Sequence, residues 1–252
     1  TDEQIIQVGT VSANGEKEIG ELLCQALKTV GRNGVVTVEE AKGFKTTLEK
    51  VEGTRIERGY LSPYFINVPS KSAAVLENPL VLLTNRKINS IQEFLPLLEK
   101  IHRSGRSLLI VADEVDGDAL QGLVLNQSKG ILSVCAIRGP EFGDSRVSAM
   151  EDLALQMSTE VFTVATPWEK VNISDLGTCK KVIINKFSSI FIGSPGSKAD
   201  IEKRISEINE ALNDLATDPE EKNILSRRLS RLADGIAILR VGGATEAELR
   251  ER

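Results

Sequence analysis

Histidine is almost absent from this sequence: His102 is the only one. A histidine-based metal site or a Ser-His-Asp triad therefore has almost no material to be built from. Cysteine is nearly as scarce. Cys24, Cys135 and Cys179 are odd in number and far apart, which gives no CxxC pair and no disulfide framework, and reads as reduced thiols of an intracellular protein. A basic excess is missing too. The net charge of −5 argues against nucleic acid as the main partner, because neutralising phosphates needs a basic face. No apolar run approaches the ~18 residues of a membrane span, and the polar, acidic start Thr1-Asp2-Glu3-Gln4 is not a signal peptide. Hydrophobic residues make up 41% of the 252 positions, which is ordinary for globular proteins and enough for one large domain or two modest ones.

Both ends suggest a piece of a longer chain. There is no initiator Met, and Thr245-Glu246-Ala247-Glu248 reads as a capping box with only four residues after it. A helix that short would not stand alone.

Periodicity predicts a helix over 16–30, with apolar Ile19, Leu22, Leu23, Ala26, Leu27 and Val30, and a short strand from Val35 to Val38. Glu52-Gly53 is a plausible break before a new unit. Strands and helices then alternate: strand Leu80–Thr84, helix Ser90–Arg103 closed by Gly105, strand Ser107–Ala112, helix Asp116–Lys129 closed by Gly130, strand Ile131–Ile137 and helix Ser145–Met157. Such alternation predicts an α/β layer with parallel strand pairs. Val182–Asn185 and Ser189–Ile192 read as a hairpin. Residues 198–233 form two charged amphipathic helices turning at Asp218-Pro219, an αα-hairpin. Ile236–Val241 is a last strand before Gly242-Gly243.

Three motifs invite a chemical reading and do not sustain it. The acidic run Asp113-Glu114-Val115-Asp116-Gly117-Asp118 lacks the calcium-loop pattern and suits the first turn of a helix, whose dipole favours acids. Gly193-Ser194-Pro195-Gly196-Ser197-Lys198 is not a phosphate loop, and Pro195 removes a donor such a loop would use. Gly139-Pro140-Glu141-Phe142-Gly143-Asp144 is a loop leading to Asp144, a candidate N-cap, and not a dinucleotide fingerprint. No catalytic residues and no metal ligands emerge.

What does stand out is apolar excess. Ile91, Phe94, Leu95, Leu97, Leu98 and Ile101 cover well over a third of one helix, and Ala119, Leu120, Leu123, Val124 and Leu125 do the same on the next. If Ile91, Phe94, Leu97 and Ile101 face the sheet, Leu95 and Leu98 project away from it, with Leu120, Val124 and Leu125 projecting similarly. From periodicity alone, a core covered by loops is the commoner outcome than an exposed groove. Tyr60-Leu61-Ser62-Pro63-Tyr64-Phe65 adds three aromatics in six residues to a chain with 4% aromatic content, and reads as loop.

These residues resemble a known family. Arg58-Gly59-Tyr60-Leu61-Ser62-Pro63-Tyr64-Phe65-Ile66-Asn67 is very similar to a signature of the GroEL-type group I chaperonins. The likeness continues collinearly through Lys87-Ile88, Leu95-Pro96, Asp118-Ala119-Leu120, Val124-Leu125-Asn126, Phe142-Gly143-Asp144, Val182 to Lys186 and Val241 to Glu246, and also covers Val8 to Asn14 and Val30 to Val35. The resemblance implies an apical domain, residues 52–235, with a mixed β-sheet layer flanked by helices. A smaller discontinuous α+β intermediate domain would combine residues 1–51 and 236–252, with Gly53 and Gly235 as hinges. Tyr60, Ser62, Tyr64, Phe65, Leu95, Leu98, Leu120, Val124 and Leu125, with Asn126 beside them, would line a surface that binds non-native polypeptides and a GroES-type lid co-chaperonin. Arg58 and Glu246 would form an ion pair between neighbouring subunits of a closed ring.

The family's nucleotide-binding loop is not in these residues. The resemblance therefore implies no ATP hydrolysis and no cofactor for this stretch. ATP and Mg belong to the ATPase domain of the longer parent, a homo-oligomeric ring, and this stretch alone would be a monomer. A cytoplasmic, bacterial-type setting fits, with an organelle matrix or a phage-encoded origin left open. There are departures: Asp118 and Lys129 stand where the family usually has Glu and Arg, Ser145 and Val147 replace basic residues, Glu141 replaces a glycine, and His102 replaces a small residue. Two rival readings remain, a structural module docking a partner through the 198–233 hairpin, and a nucleotide-binding enzyme using the Gly193 loop.

Overall fold

The computed structural model describes residues 2–31, 34–41, 44–143, 145–214, 218–233 and 235–243. The Thr245–Glu248 capping box, Glu246 and the candidate cap Asp144 lie outside the described residues. The fold is mixed α/β, with several sheets. It divides into two compact units, Thr1–Thr54 with Ala233–Arg252, and Arg55–Leu232; the sequence boundaries stood at 51/52 and 235/236. Among the described residues no helix is long and apolar enough to cross a membrane.

The smaller unit opens with α1 (Asp2–Ser12) and α2 (Lys17–Val30). They cross closely: a Cβ on Gly20 would lie 2.6 Å from the Ile6 carbonyl oxygen, so only glycine fits. α2 buries Ile19, Ala26 and Val30 against a three-stranded sheet ordered β1 (Val35–Glu40), β13 (Ile236–Val241), β2 (Thr47–Val51). β1 runs parallel to β13, and β2 antiparallel to it. Periodicity misses α1 because its sequence alternates exposed Val8 and Val11 with a buried glycine, so no continuous apolar stripe marks it.

In the larger unit β5 (Leu80–Leu83), β7 (Leu108–Ala112) and β9 (Val134–Arg138) are parallel neighbours, flanked by β10 (Gly177–Thr178) antiparallel to β5. Every residue of β5 and β7 is buried, which explains their unbroken apolar runs, as a parallel sheet covered on both faces requires. The helices are α3 (Ile91–Ser104), α4 (Gly117–Ser128) and α5 (Ser145–Met157). A small parallel pair, β6 (Lys87–Ile88) and β8 (Glu114–Val115), sits just before α3 and α4. A second sheet is ordered β3 (Gly53–Ile56), β12 (Ser189–Ile192), β11 (Lys181–Ile184), β4 (Ala74–Glu77). Its free edge at β4 is covered by a side chain: the Asn67 amide donates to the Val75 carbonyl and accepts from the Val75 amide, both at 2.8 Å. That imitates a neighbouring strand and blunts the edge.

One element starts later than the sequence predicts, and the predicted helical hairpin is present. The strand expected from Ile131 begins at Val134, because the amides of Ile131 and Leu132 turn back to the Asn126 carbonyl and close α4. The helical hairpin, α6 (Lys198–Asn213) and α7 (Pro219–Ala233), spends its apolar stripes on itself: Ile201, Ile205, Ile208 and Leu212 pack with Leu225, Leu229 and Leu232 in a cluster separate from the main core. It is moored to α5 by charge. Arg228 makes a two-pronged contact with buried Asp152 at 2.6 and 2.9 Å, and Arg204 reaches the same carboxylate at 3.4 Å.

Candidate functional site

α3 and α4 both lead into parallel strands and begin side by side. The Ile91 amide, first in α3, donates to the Asp118 carboxylate in the first turn of α4 at 3.2 Å. The Asp116 and Ala119 amides donate to the carbonyls of Ile88 and Asn89. Gly122 lets the helices close on each other, since a Cβ there would lie 2.8 Å from Ile91 Cγ1. One turn further along come Leu95 on α3 and Val124, Leu125 and Asn126 on α4. Leu95 is 41% exposed and Leu125 52%, whereas Leu120 and Val124 are half-buried and rest on the core. Pro96 falls on the outer side, where solvent can serve the Gln92 carbonyl that lacks its amide.

A third wall comes from the segment after β3. Tyr60 donates its amide to the Asn185 carbonyl and Leu61 to that of Ala136, which lays the chain along β9. The Ser62 hydroxyl accepts the Tyr64 amide and starts a short 3-10 turn, Pro63–Phe65, that packs on α4. Tyr64 points outward at 71% exposure, while Tyr60 is half-buried.

Burial separates the named residues into two groups. Leu95, Leu125 and Tyr64 are exposed, and Tyr60, Leu120, Val124 and Asn126 are partly so. Leu98, expected to project away from the sheet, is instead buried, as are Phe65 and Ser62. Leu98 belongs to the main core cluster, and α3 carries a further cover that its own periodicity does not show. Trp168 begins a 3-10 turn that packs on α3, its ring edge-on to Phe94 at 5.2 Å, and Lys100 donates to the carbonyls of Glu169 and Val171. α3 is thus covered over a wider arc than the sheet alone would cover. Asn126 turns its amide back to the Gly122 carbonyl of its own helix at 2.8 Å. Ile131, which the apolar run of the sequence places in a strand, is 48% exposed just past the end of α4 and extends the apolar rim.

The acids before α4 serve separate neighbours rather than one ion. Asp113 pairs with Arg146, Glu114 with Lys87 at 3.0 Å and Arg138 at 3.4 Å, and Asp118 holds Ile91. Their job is to tie elements together, more than to serve the helix dipole. Among the described residues no group of three or more His, Cys, Asp or Glu could hold a metal ion. His102 is exposed. In the Gly193 loop the Gly196 amide goes to the Gln156 carbonyl, and the Ser197 hydroxyl accepts the Asp200 amide to cap α6, so these groups are already engaged. The thiols are buried. Desolvation pushes Cys135 far up and Cys179 up to about 12, which leaves them as thiols and poor nucleophiles.

Gly53 is a buried residue opening β3, and Gly235 precedes β13 with Lys50 lying over it. Arg58 is held inside its own unit: it donates to the carbonyls of Gly139 and Glu141 at 3.2 and 3.1 Å and lies 4.1 Å over the Phe142 ring. No family model matches the chain.

Proposed function

We propose that this chain binds non-native polypeptides in the apolar groove between α3 and α4. The single observation that carries the reading is the apolar rim of Leu95, Leu125 and Tyr64, exposed around half-buried Leu120 and Val124. Leucines and tyrosine that reach solvent between two helices locked at one end form a contiguous, sequence-tolerant surface, and such surfaces are binding sites when they occur on soluble domains. The buried Leu98, Phe65 and Ser62 shape the groove from beneath and take no part in contact.

The energetics suit a chaperone. An apolar segment burying ~400 Å² would gain about 10 kcal/mol gross. Association and ordering cost ~4–15 kcal/mol, so one groove binds weakly and reversibly. Repetition of grooves in a homo-oligomeric ring would raise avidity. The resemblance to group I chaperonins extends the proposal. The apical and intermediate domains are Arg55–Leu232 and the smaller unit, hinged at Gly53 and Gly235. A GroES-type lid competes for the same groove, and ATP with Mg acts in a separate domain of the parent.

Suppression of aggregation of a chemically denatured test protein checks this. Wild type should suppress, and a Leu95→Ser/Leu125→Ser variant of matched stability should not. Equal behaviour of the two would remove the groove from the account.

A further inference from the structure

Glu141 occupies the loop between β9 and α5 with φ of 59°, a left-handed conformation that glycine adopts freely and a glutamate does not. Both ends of the residue are used. Its carboxylate receives Arg227 Nε and Nη2 at 3.2 and 3.3 Å, one bond to each oxygen, and Arg231 of the same helix α7 as well. Its main-chain carbonyl receives Arg58 Nη2, while Gly139 of the same loop receives Arg58 Nε. Arg58 is the residue from which the Gly59–Phe65 wall of the groove hangs. At Gly59 the chain has no slack: a Cβ would lie 2.2 Å from the Lys186 carbonyl carbon.

We propose that Glu141 is a positioning residue for the groove, a latch whose carboxylate moors the 139–143 loop to α7 and whose carbonyl, with that of Gly139, holds Arg58 and so the wall that carries Tyr60 and Tyr64. The importance of that wall rests on the polypeptide-binding reading; the latch itself does not.

The two arginines that reach the carboxylate favour its ionised form. Arg227 and Arg231 come from α7. Arg58 comes from the segment after β3; Arg138 of β9 and Arg146 of α5 act on Arg58 and are already paired with Glu114 and Asp113. Burial pushes the Glu141 carboxyl up, but the Arg227 hydrogen bond and Arg231 outweigh it and hold the group below the ordinary carboxylate range. A depressed folded value means the latch is fully closed above the unfolded-state value of about 4.3 and opens as pH falls through the folded one.

Hydrogen exchange of amides 59–66 and 139–143, corrected for intrinsic rates, tests this on the full chain. At pH 7, Glu141→Gln should speed exchange in both segments by about tenfold, the loss expected of charge-assisted bonds. The wild type should approach the variant only as pH falls below the ordinary carboxylate range, and the variant should lack that step. Arg227→Gln/Arg231→Gln, which leaves the loop sequence intact, should reproduce the pattern and covers the case in which the Glu141 variant does not fold. Faster exchange confined to 139–143, or none, would overturn the latch. Parallel measurement of binding to an unfolded labelled protein keeps the two ideas apart. A wild type that shows the exchange pattern but binds nothing supports the latch and sinks the groove. One that binds while 59–66 ignores Glu141→Gln sinks the latch alone.

Discussion

The Asp118 carboxylate, in the first turn of α4, accepts the backbone amide of Ile91, the first residue of α3, at 3.2 Å. One helix thus caps another. Ser90, which occupies the N-cap position of α3, makes no side-chain cap bond, so the orphan amide is served from α4. Asp118→Ala should cost about 1 kcal/mol of stability, the usual value of a lost cap, and Asp118→Asn much less, since the amide oxygen still accepts. Urea denaturation of the three proteins checks this, and equal midpoints would show that the contact contributes nothing.

The close approach at Gly122 sets a second expectation. In an open helix Gly→Ala gains about 1 kcal/mol. Here a Cβ would meet Ile91 Cγ1 at 2.8 Å, so Gly122→Ala should gain nothing or lose stability, while Gly122→Ala in an Ile91→Ala background should show the full gain. Thermal melts of the four members of the cycle give the coupling.

The charge mooring of the hairpin gives a third. Asp152 and Arg228 are both nearly buried, with side chains 7% and 11% exposed. Removing one partner leaves the other charged and unpaired, so Asp152→Ala should cost about 3–5 kcal/mol. Asp152→Leu/Arg228→Leu should cost far less, because no buried charge is stranded. Chemical denaturation distinguishes the two, and equal losses would mean the pair itself supplies the stability.

The thiols give a fourth. Cys24, Cys135 and Cys179 are all buried, and Cys135 and Cys179 are held protonated by desolvation. A thiol reagent at pH 8 should modify native protein slowly and all three residues at once on unfolding. Rapid modification of one thiol in native protein would contradict this packing.

Much of the larger unit was legible in the sequence for a physical reason. Strands buried on both faces read as apolar runs, and the glycines at 105 and 130 end their helices in the left-handed conformation the sequence implied. The smaller pieces were not legible. α1 has no apolar stripe, and β2, β3 and β4 are short strands whose pairing comes from distant segments. At the groove, periodicity separated Leu95 from Phe94 correctly but misplaced Leu98, which joins the main core; α3 is also met at Phe94 by Trp168, a residue distant in sequence. A long-range contact of that kind leaves no local trace. Glu141 was visible only as an odd residue after Pro140. Its φ and its two arginines require the fold.

The most direct test of the central claim is the affinity for a fluorescently labelled protein that is reduced and alkylated so that it cannot fold. Anisotropy titration compares wild type with Leu95→Ser/Leu125→Ser, both confirmed folded by circular dichroism. Burial of two leucines accounts for about 3 kcal/mol or more, so the account predicts at least a hundredfold weaker binding by the variant. Unchanged affinity, or no binding by the wild type, would contradict it.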